Sequence, residues 1–184
     1  LEGPLLKGKT TFLVSARRTY LELLGYPYFK WIMKDNGMWS YKFQDVNIKV
    51  NHRINPSNRI YLSLYTGDDA YHYAYSEDTK NATEHIQYEE EDGFKWGNIT
   101  GTLRWNQQYG PRIFANTTLL YSRYRFTTQS HREEIIMQPN DTAISRFRLG
   151  FNSGIEDYGL SYDLDYYPDH RHKLRFGATA VWHL

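Results

Sequence analysis

The chain has 184 residues, a formal charge of +1 and no cysteine. Near-neutrality of the chain as a whole gives no electrostatic case for nucleic acid or for an anionic membrane surface, and the lack of thiols excludes disulfide frameworks, thiolate metal sites and cysteine nucleophiles. No stretch reaches the roughly 18 to 20 apolar residues that a membrane-spanning helix needs, a lack that leaves open a spanning strand, which needs only about 10 residues with every second one apolar.

In chain order, the dominant period is two. A first strand is expected over 10–20, with 17–24 as the one stretch able to wind into a short helix and 21–38 as a long polar connection. A strand over 39–54 puts Val46, Ile48 and Val50 on one side and Asp45, Asn47, Lys49 and Asn51 on the other. After a turn at 54–59, Ile60, Leu62 and Leu64 alternate with Tyr61, Ser63 and Tyr65, and 67–93 reads as a second long connection. The strand over 94–108 sets Ile99, Leu103 and Trp105 against Asn98, Thr100, Thr102 and Arg104. A turn at 108–112 leads to a strand over 113–126, and 127–143 is the third long connection. The strand over 144–167 sets Tyr158, Leu160, Tyr162, Leu164 and Tyr166 against Asp157, Gly159, Ser161, Asp163 and Asp165. After a turn at 167–172, Leu174, Phe176, Ala178, Ala180 and Trp182 oppose Arg175, Gly177, Thr179 and His183.

The expected fold is therefore all-β, an antiparallel up-and-down meander of about seven long strands. The short turns carry Pro with Asn, Asp or Gly, which pre-set turn dihedrals. Short and long connections alternate, so all short turns fall at one end and all long loops at the other, as in outer-membrane barrels. Aromatic residues make up 17% of the chain, with 17 Tyr and 5 Trp, and such side chains favour boundaries between apolar and aqueous surroundings. Trp39, Tyr41 and Trp96 by the long loops, and Trp105, Tyr109, Tyr166 and Tyr167 by the short turns, are expected to form two girdles. Alternation alone leaves two readings open. A soluble ligand-binding barrel or sandwich turns its apolar side inward, and a large transmembrane barrel turns it to lipid.

The segments Gly3-Pro4-Leu5 and Thr11-Phe12-Leu13-Val14-Ser15-Ala16-Arg17-Arg18-Thr19-Tyr20-Leu21 resemble the first barrel strand of TonB-dependent receptors from Bacteroidetes. Tyr65-Thr66-Gly67-Asp68-Asp69, then Trp96-Gly97-Asn98 with Thr102-Leu103-Arg104-Trp105-Asn106, resemble later strands of the same barrels in order. So do Asn116-Thr117-Thr118-Leu119 with Tyr121-Ser122-Arg123-Tyr124, Ser153-Gly154-Ile155-Glu156-Asp157, and Asp163-Leu164-Asp165-Tyr166-Tyr167-Pro168. The resemblance implies that residues 1–184 are a single partial barrel domain, an incomplete segment of a large transmembrane β-barrel of about 22 strands with a plugged lumen. Both chain ends read as cut. It further implies a bacterial outer-membrane importer of a nutrient such as a glycan, metal chelate or peptide. Outer-membrane lipid, the TonB complex through a missing N-terminal region, and a surface lipoprotein are the implied partners.

No catalytic residue, metal site or cofactor is expected, and the chain is not read as an enzyme: no Gly-x-Ser-x-Gly elbow or Gly-rich phosphate loop is present. The run Glu89-Glu90-Glu91-Asp92, even with Asp68 and Asp69, lacks the spacing of a calcium loop and reads as solvated charge. His170 and His172 read as a polar turn. Arg104, Asp163, Asp165 and Arg175 are the ligand-contact candidates on a lumen-facing side, with the alternative that Arg104 or Arg175 simply neutralises the aspartates. Tyr71, Tyr73 and Tyr75 form an alternating row, either a stacking surface for sugars and other flat ligands or, preferred, a strand continuing above a membrane.

Overall fold

The structure, a computed structural model, describes residues 1–33 and 36–184. The elements are β1 (Glu2–Leu6), β2 (Thr10–Arg18), α1 (Leu21–Met33), β3 (Gly37–Asn55), β4 (Asn58–Lys80), β5 (His85–Gln108), β6 (Ile113–Gln138), β7 (Asp141–Tyr166) and β8 (Leu174–His183). The eight strands form one open sheet in sequence order, every neighbouring pair antiparallel. The all-β meander stands as expected, an open sheet consistent with a segment of a barrel.

Four expectations need correction. There are eight strands rather than about seven. The extra one is β1, which returns on β2 through a turn where Gly8 takes φ 70°, a left-handed conformation natural to glycine. The helix is not 17–24 but Leu21–Met33. Its Leu-rich start, with Glu22 in the first turn and Lys30 in the last, suits the helix dipole, while Pro27 inside it removes one backbone donor. It therefore fills most of the connection expected over 21–38, of which 34–35 lies outside the described residues. The long connections at 67–93 and 127–143 are not loops: β4 and β5 leave only 81–84 between them, and β6 and β7 leave only 139–140. Hence the alternation of short turns with long loops does not exist; what extends is the hairpins themselves. At roughly 3.4 Å per residue, the 26 residues of β6 reach about 85 Å, against the ~30 Å hydrocarbon core of a bilayer.

Register decides which side chains share a face. The central rung aligns Val50, Leu62, Leu103, Leu119, Leu160 and Ala180, and we call this side the leucine face. Its apolar band runs from Val46 to Ile54 on β3, from Tyr158 to Tyr166 on β7 and from Leu174 to Trp182 on β8. That is about nine residues along each strand, the length a tilted spanning strand needs. The upper limit steps by one rung, from Val46 on β3 to Tyr121, Tyr158 and Trp182 on β6 to β8, the stagger of strands inclined to a barrel axis. None of these side chains meets another across a dry centre. Leu62, Leu103, Leu119 and Leu160 are 36%, 40%, 49% and 41% exposed, and Ala115 is the one buried hydrophobic among the described residues.

Above the band the two faces exchange character. The leucine face then carries Lys42, Lys95 and Arg125, followed by Glu91, His131 and Arg148. The reverse face, polar beside the band, becomes aromatic: Trp39 beside Tyr73, Tyr41 beside Tyr71 and Phe94, Trp96 beside Phe126. Trp39, Tyr41 and Trp96 thus lie on the opposite side from the band and form no girdle around it; its upper aromatic rung is Tyr121, Tyr158 and Trp182. At the lower end Trp105 and Tyr166 do sit on the leucine face. The Trp105 indole there donates to Asn58 Oδ1 at 3.1 Å.

Candidate functional site

The reverse face holds every residue singled out for ligand contact, in two separate groups. Beside the band it is a cross-strand polar lining. Ser161 meets Thr179 at 3.0 Å, Asp157 meets His183 at 2.6 Å, and the Asn106 amide donates to Asn116. The Arg175 guanidinium grips Asp165 with two hydrogen bonds, 2.7 and 3.1 Å, and Lys173 approaches the same carboxylate at 3.5 Å. This is the neutralised-lining arrangement. Asp163 lies two residues away on the same face, between Asn116 and Gly177, where a Cβ on Gly177 would fall 2.8 Å from its Oδ1. Arg104 sits between Tyr61 and Thr118, without a hydrogen bond or ion pair to any described residue. Asp163 and Asp165 are therefore not a carboxylate couple: one is clamped by Arg175 and the other abuts a glycine.

The second group lies about ten residues farther along, some 33 Å at strand rise. Tyr71, Tyr73 and Tyr75 occupy β4, between Tyr41 and Phe94, Trp39 and Asp92, and Gly37 and Glu90. All three are part of a strand, and Tyr71 joins an aromatic ladder that crosses four elements, while Tyr75 meets only Tyr88 at 6.2 Å. Phe29 of α1 stacks on Trp39 at 4.6 Å, and Trp39 meets Tyr71 edge-on at 6.4 Å. Phe94 stacks with both Tyr71 at 4.7 Å and Trp96 at 5.3 Å. Partial burial pushes the Tyr71 phenol above its usual pKa, with Asp92 adding to the shift. The Tyr75 hydroxyl donates to Glu77 at 2.9 Å, which raises its pKa as well.

Sequence reading misses Phe29 and Phe94 in this region and weighs Asp69 and Asp92 only as calcium ligands; the continuing alternation at 71, 73 and 75 and at 94 and 96 is the available signal. Asp69 lies between Phe43 and Trp96, and Asp92 between Tyr73 and Ser130. Neither carboxylate has a hydrogen bond or ion pair to a described residue. Chemically the ladder offers ring edges and carboxylate acceptors to a solute rich in O–H or N–H donors.

The remaining charged motifs resolve into local pairs. Strand alternation divides Glu89-Glu90-Glu91-Asp92 between the two faces, so its oxygens do not converge. Glu90 pairs with Arg132 at 2.8 Å and Glu91 with His72 at 3.0 Å. Among the described residues no group of three His, Asp or Glu is placed to hold a metal. Asp169 takes the backbone N–H groups of Arg171 and His172 at 2.8 and 3.0 Å and the His172 ring at 2.8 Å, which makes 167–172 a polar turn.

No family model matches the chain, and no curated protein matches it either. Among solved structures the chain is similar to the outer membrane transporter YddB from Escherichia coli, at 10% identity and a TM-score of 0.28. The likeness covers 95% of this chain and 34% of that one, so the chain spans about a third of that transporter's length.

Proposed function

We propose that the chain is part of the wall of a bacterial outer-membrane importer of the TonB-dependent kind, a transport element without catalytic chemistry of its own. One observation carries the reading. A belt about nine residues tall exposes large apolar side chains on one face of the sheet and polar ones on the other, on strands that run far beyond it. In water alone, so contiguous an apolar surface is a liability; against hydrocarbon it is the required surface of a spanning barrel. The paired lining of Arg175 and Asp165 then faces the lumen, and the aromatic ladder stands above the membrane on the same inner side. Glycans, metal chelates and peptides are the proposed cargo classes, with coupling to the TonB complex through a region outside this sequence and a surface lipoprotein as further partner.

The test is insertion. Refolded with phosphatidylcholine vesicles, the chain is expected to keep 46–54, 99–107 and 158–166 protected from external protease while 70–92 and 128–150 are cleaved. A monomer that melts cooperatively in detergent-free buffer, with no protection by vesicles, would overturn the reading in favour of a soluble ligand-binding barrel or sandwich.

A further inference from the structure

The leucine face changes abruptly where the apolar band stops. The first two outward positions past the band on β2 to β7 hold five cations, Arg18, Lys42, Lys95, Arg123 and Arg125, against two anions, Asp68 and Glu156. Glu156 is already occupied, accepting the hydroxyls of Tyr121 at 3.1 Å and Tyr158 at 2.6 Å, and Arg18 leans on Glu22 at 3.3 Å. Lys42, Lys95, Arg123 and Arg125 make no side-chain hydrogen bond or close ion pair with any described residue; Arg123 faces Glu156 across the sheet, and both arginines act on that one carboxylate, which leaves positive charge in excess. On the reverse face at the same height, Arg17 is paired with Asp45 at 2.5 Å and Asp69 is unpaired, so the positive excess belongs to the leucine face alone. Farther out on the leucine face, Arg146 is again in an ion pair, with Glu133 at 2.8 Å, and His85 is hydrogen-bonded to Asp78 at 2.6 Å.

The heights match a bilayer. Two to four residues past the band are about 7–13 Å along the strand. At a tilt near 45° that is roughly 5–9 Å of elevation, the depth of one headgroup layer outside a ~30 Å core. Cations in excess of the carboxylates around them at that depth face whatever anions the headgroups supply, and phosphate takes two hydrogen bonds from each guanidinium.

Resting on the lipid-facing reading of the apolar band, we propose that Lys42, Lys95, Arg123 and Arg125 form a binding belt for the phosphate groups of anionic lipids in the adjoining leaflet. The experiment uses the full chain in phosphatidylcholine vesicles at low ionic strength, with spin-labelled phosphatidylcholine or phosphatidylglycerol as probe. The motionally restricted fraction is expected to favour phosphatidylglycerol at least about fivefold, the worth of one cation at a charged surface. In K42Q/K95Q/R123Q/R125Q the preference falls towards unity while the restricted phosphatidylcholine fraction stays the same. R123Q/R125Q, which leaves β3 and β5 untouched, gives an intermediate loss. K80Q/R148Q, two cations farther out, leaves the preference intact. Equal preference in the chain and the fourfold variant overturns the belt, as does an equal loss in K80Q/R148Q. Absence of any restricted lipid in the unaltered chain instead overturns the lipid-facing reading itself.

Discussion

The band and the extension above it share the same strands, the same ladder and the same alternation, yet the apolar and polar faces of the sheet are exchanged between them. Beside the rung Val50–Leu62–Leu103–Leu119–Leu160 the leucine face is apolar and the reverse face polar; beside Tyr41–Tyr71–Phe94 the leucine face is charged and the reverse face aromatic. The backbone does not distinguish these regions. What differs is the medium outside: in the proposed setting, hydrocarbon selects leucine at one height and water selects lysine and glutamate at the next. A strand's polarity is thus a local record of its surroundings, and it can reverse within one element without a break in pairing.

The sharpest way to break this comparison is to put one charge at equivalent positions in the two regions. Leu103→Arg, at the central rung, is expected to destabilise the membrane-inserted chain by about 2–4 kcal/mol. Gln129→Arg, on the same face of the extension, should stay within about 0.5 kcal/mol. Denaturant titration in vesicles compares them, and equal losses would show that the band does not meet lipid. Next in size, Phe94→Ala removes the ring that stacks with both Tyr71 and Trp96. A loss of about 1–2 kcal/mol is expected for a half-buried ring, against a few tenths for Thr102→Ala on the same face beside the band, read as hydrogen exchange in β4 and β5.

The extension also has a pH dependence. Arg146, bonded to Glu133, holds that carboxyl below its ordinary range; at the neighbouring tip His85, and then Gln87, do the same for Asp78. A carboxyl with a depressed folded pKa contributes fully above its ordinary pKa, and the contribution is lost as pH falls through the depressed value. Exchange at 133–146 and 78–87 is therefore expected to accelerate below about pH 4, with 46–54 unchanged. The smallest effect is in the β1–β2 turn. Gly8→Ala forces a side chain into the left-handed conformation at φ 70°, which costs about 1 kcal/mol and frays β1 first.

Which parts of this were legible depended on whether polarity and period agreed. Asp45 to Asn51 declared both faces of β3 because apolar and polar residues alternate there without exception, and the same holds from Asp157 to Tyr166. The outer halves of the strands look like loops in sequence because their alternation is between charge and aromatic. The groups that hold Glu90 and Glu91, Arg132 and His72, lie on other strands, which no local window reveals. Gly25 and Pro27 punctuate α1 and hide its full length in sequence; its docking of Phe29 on Trp39 is a tertiary fact. The Arg175–Asp165 clamp was foreseeable from shared face alone, whereas the aromatic ladder needed the register of β3, β4 and β5 at once.

The ladder of β6 and β7 runs unbroken from Gln138 opposite Asp141 down to Ile113 opposite Tyr166. A slip of one residue between two such strands would turn every side chain of one of them to the other side of the sheet. The two-residue connection at 139–140 therefore sets where Leu119 and Leu160 stand, about twenty residues away along each strand.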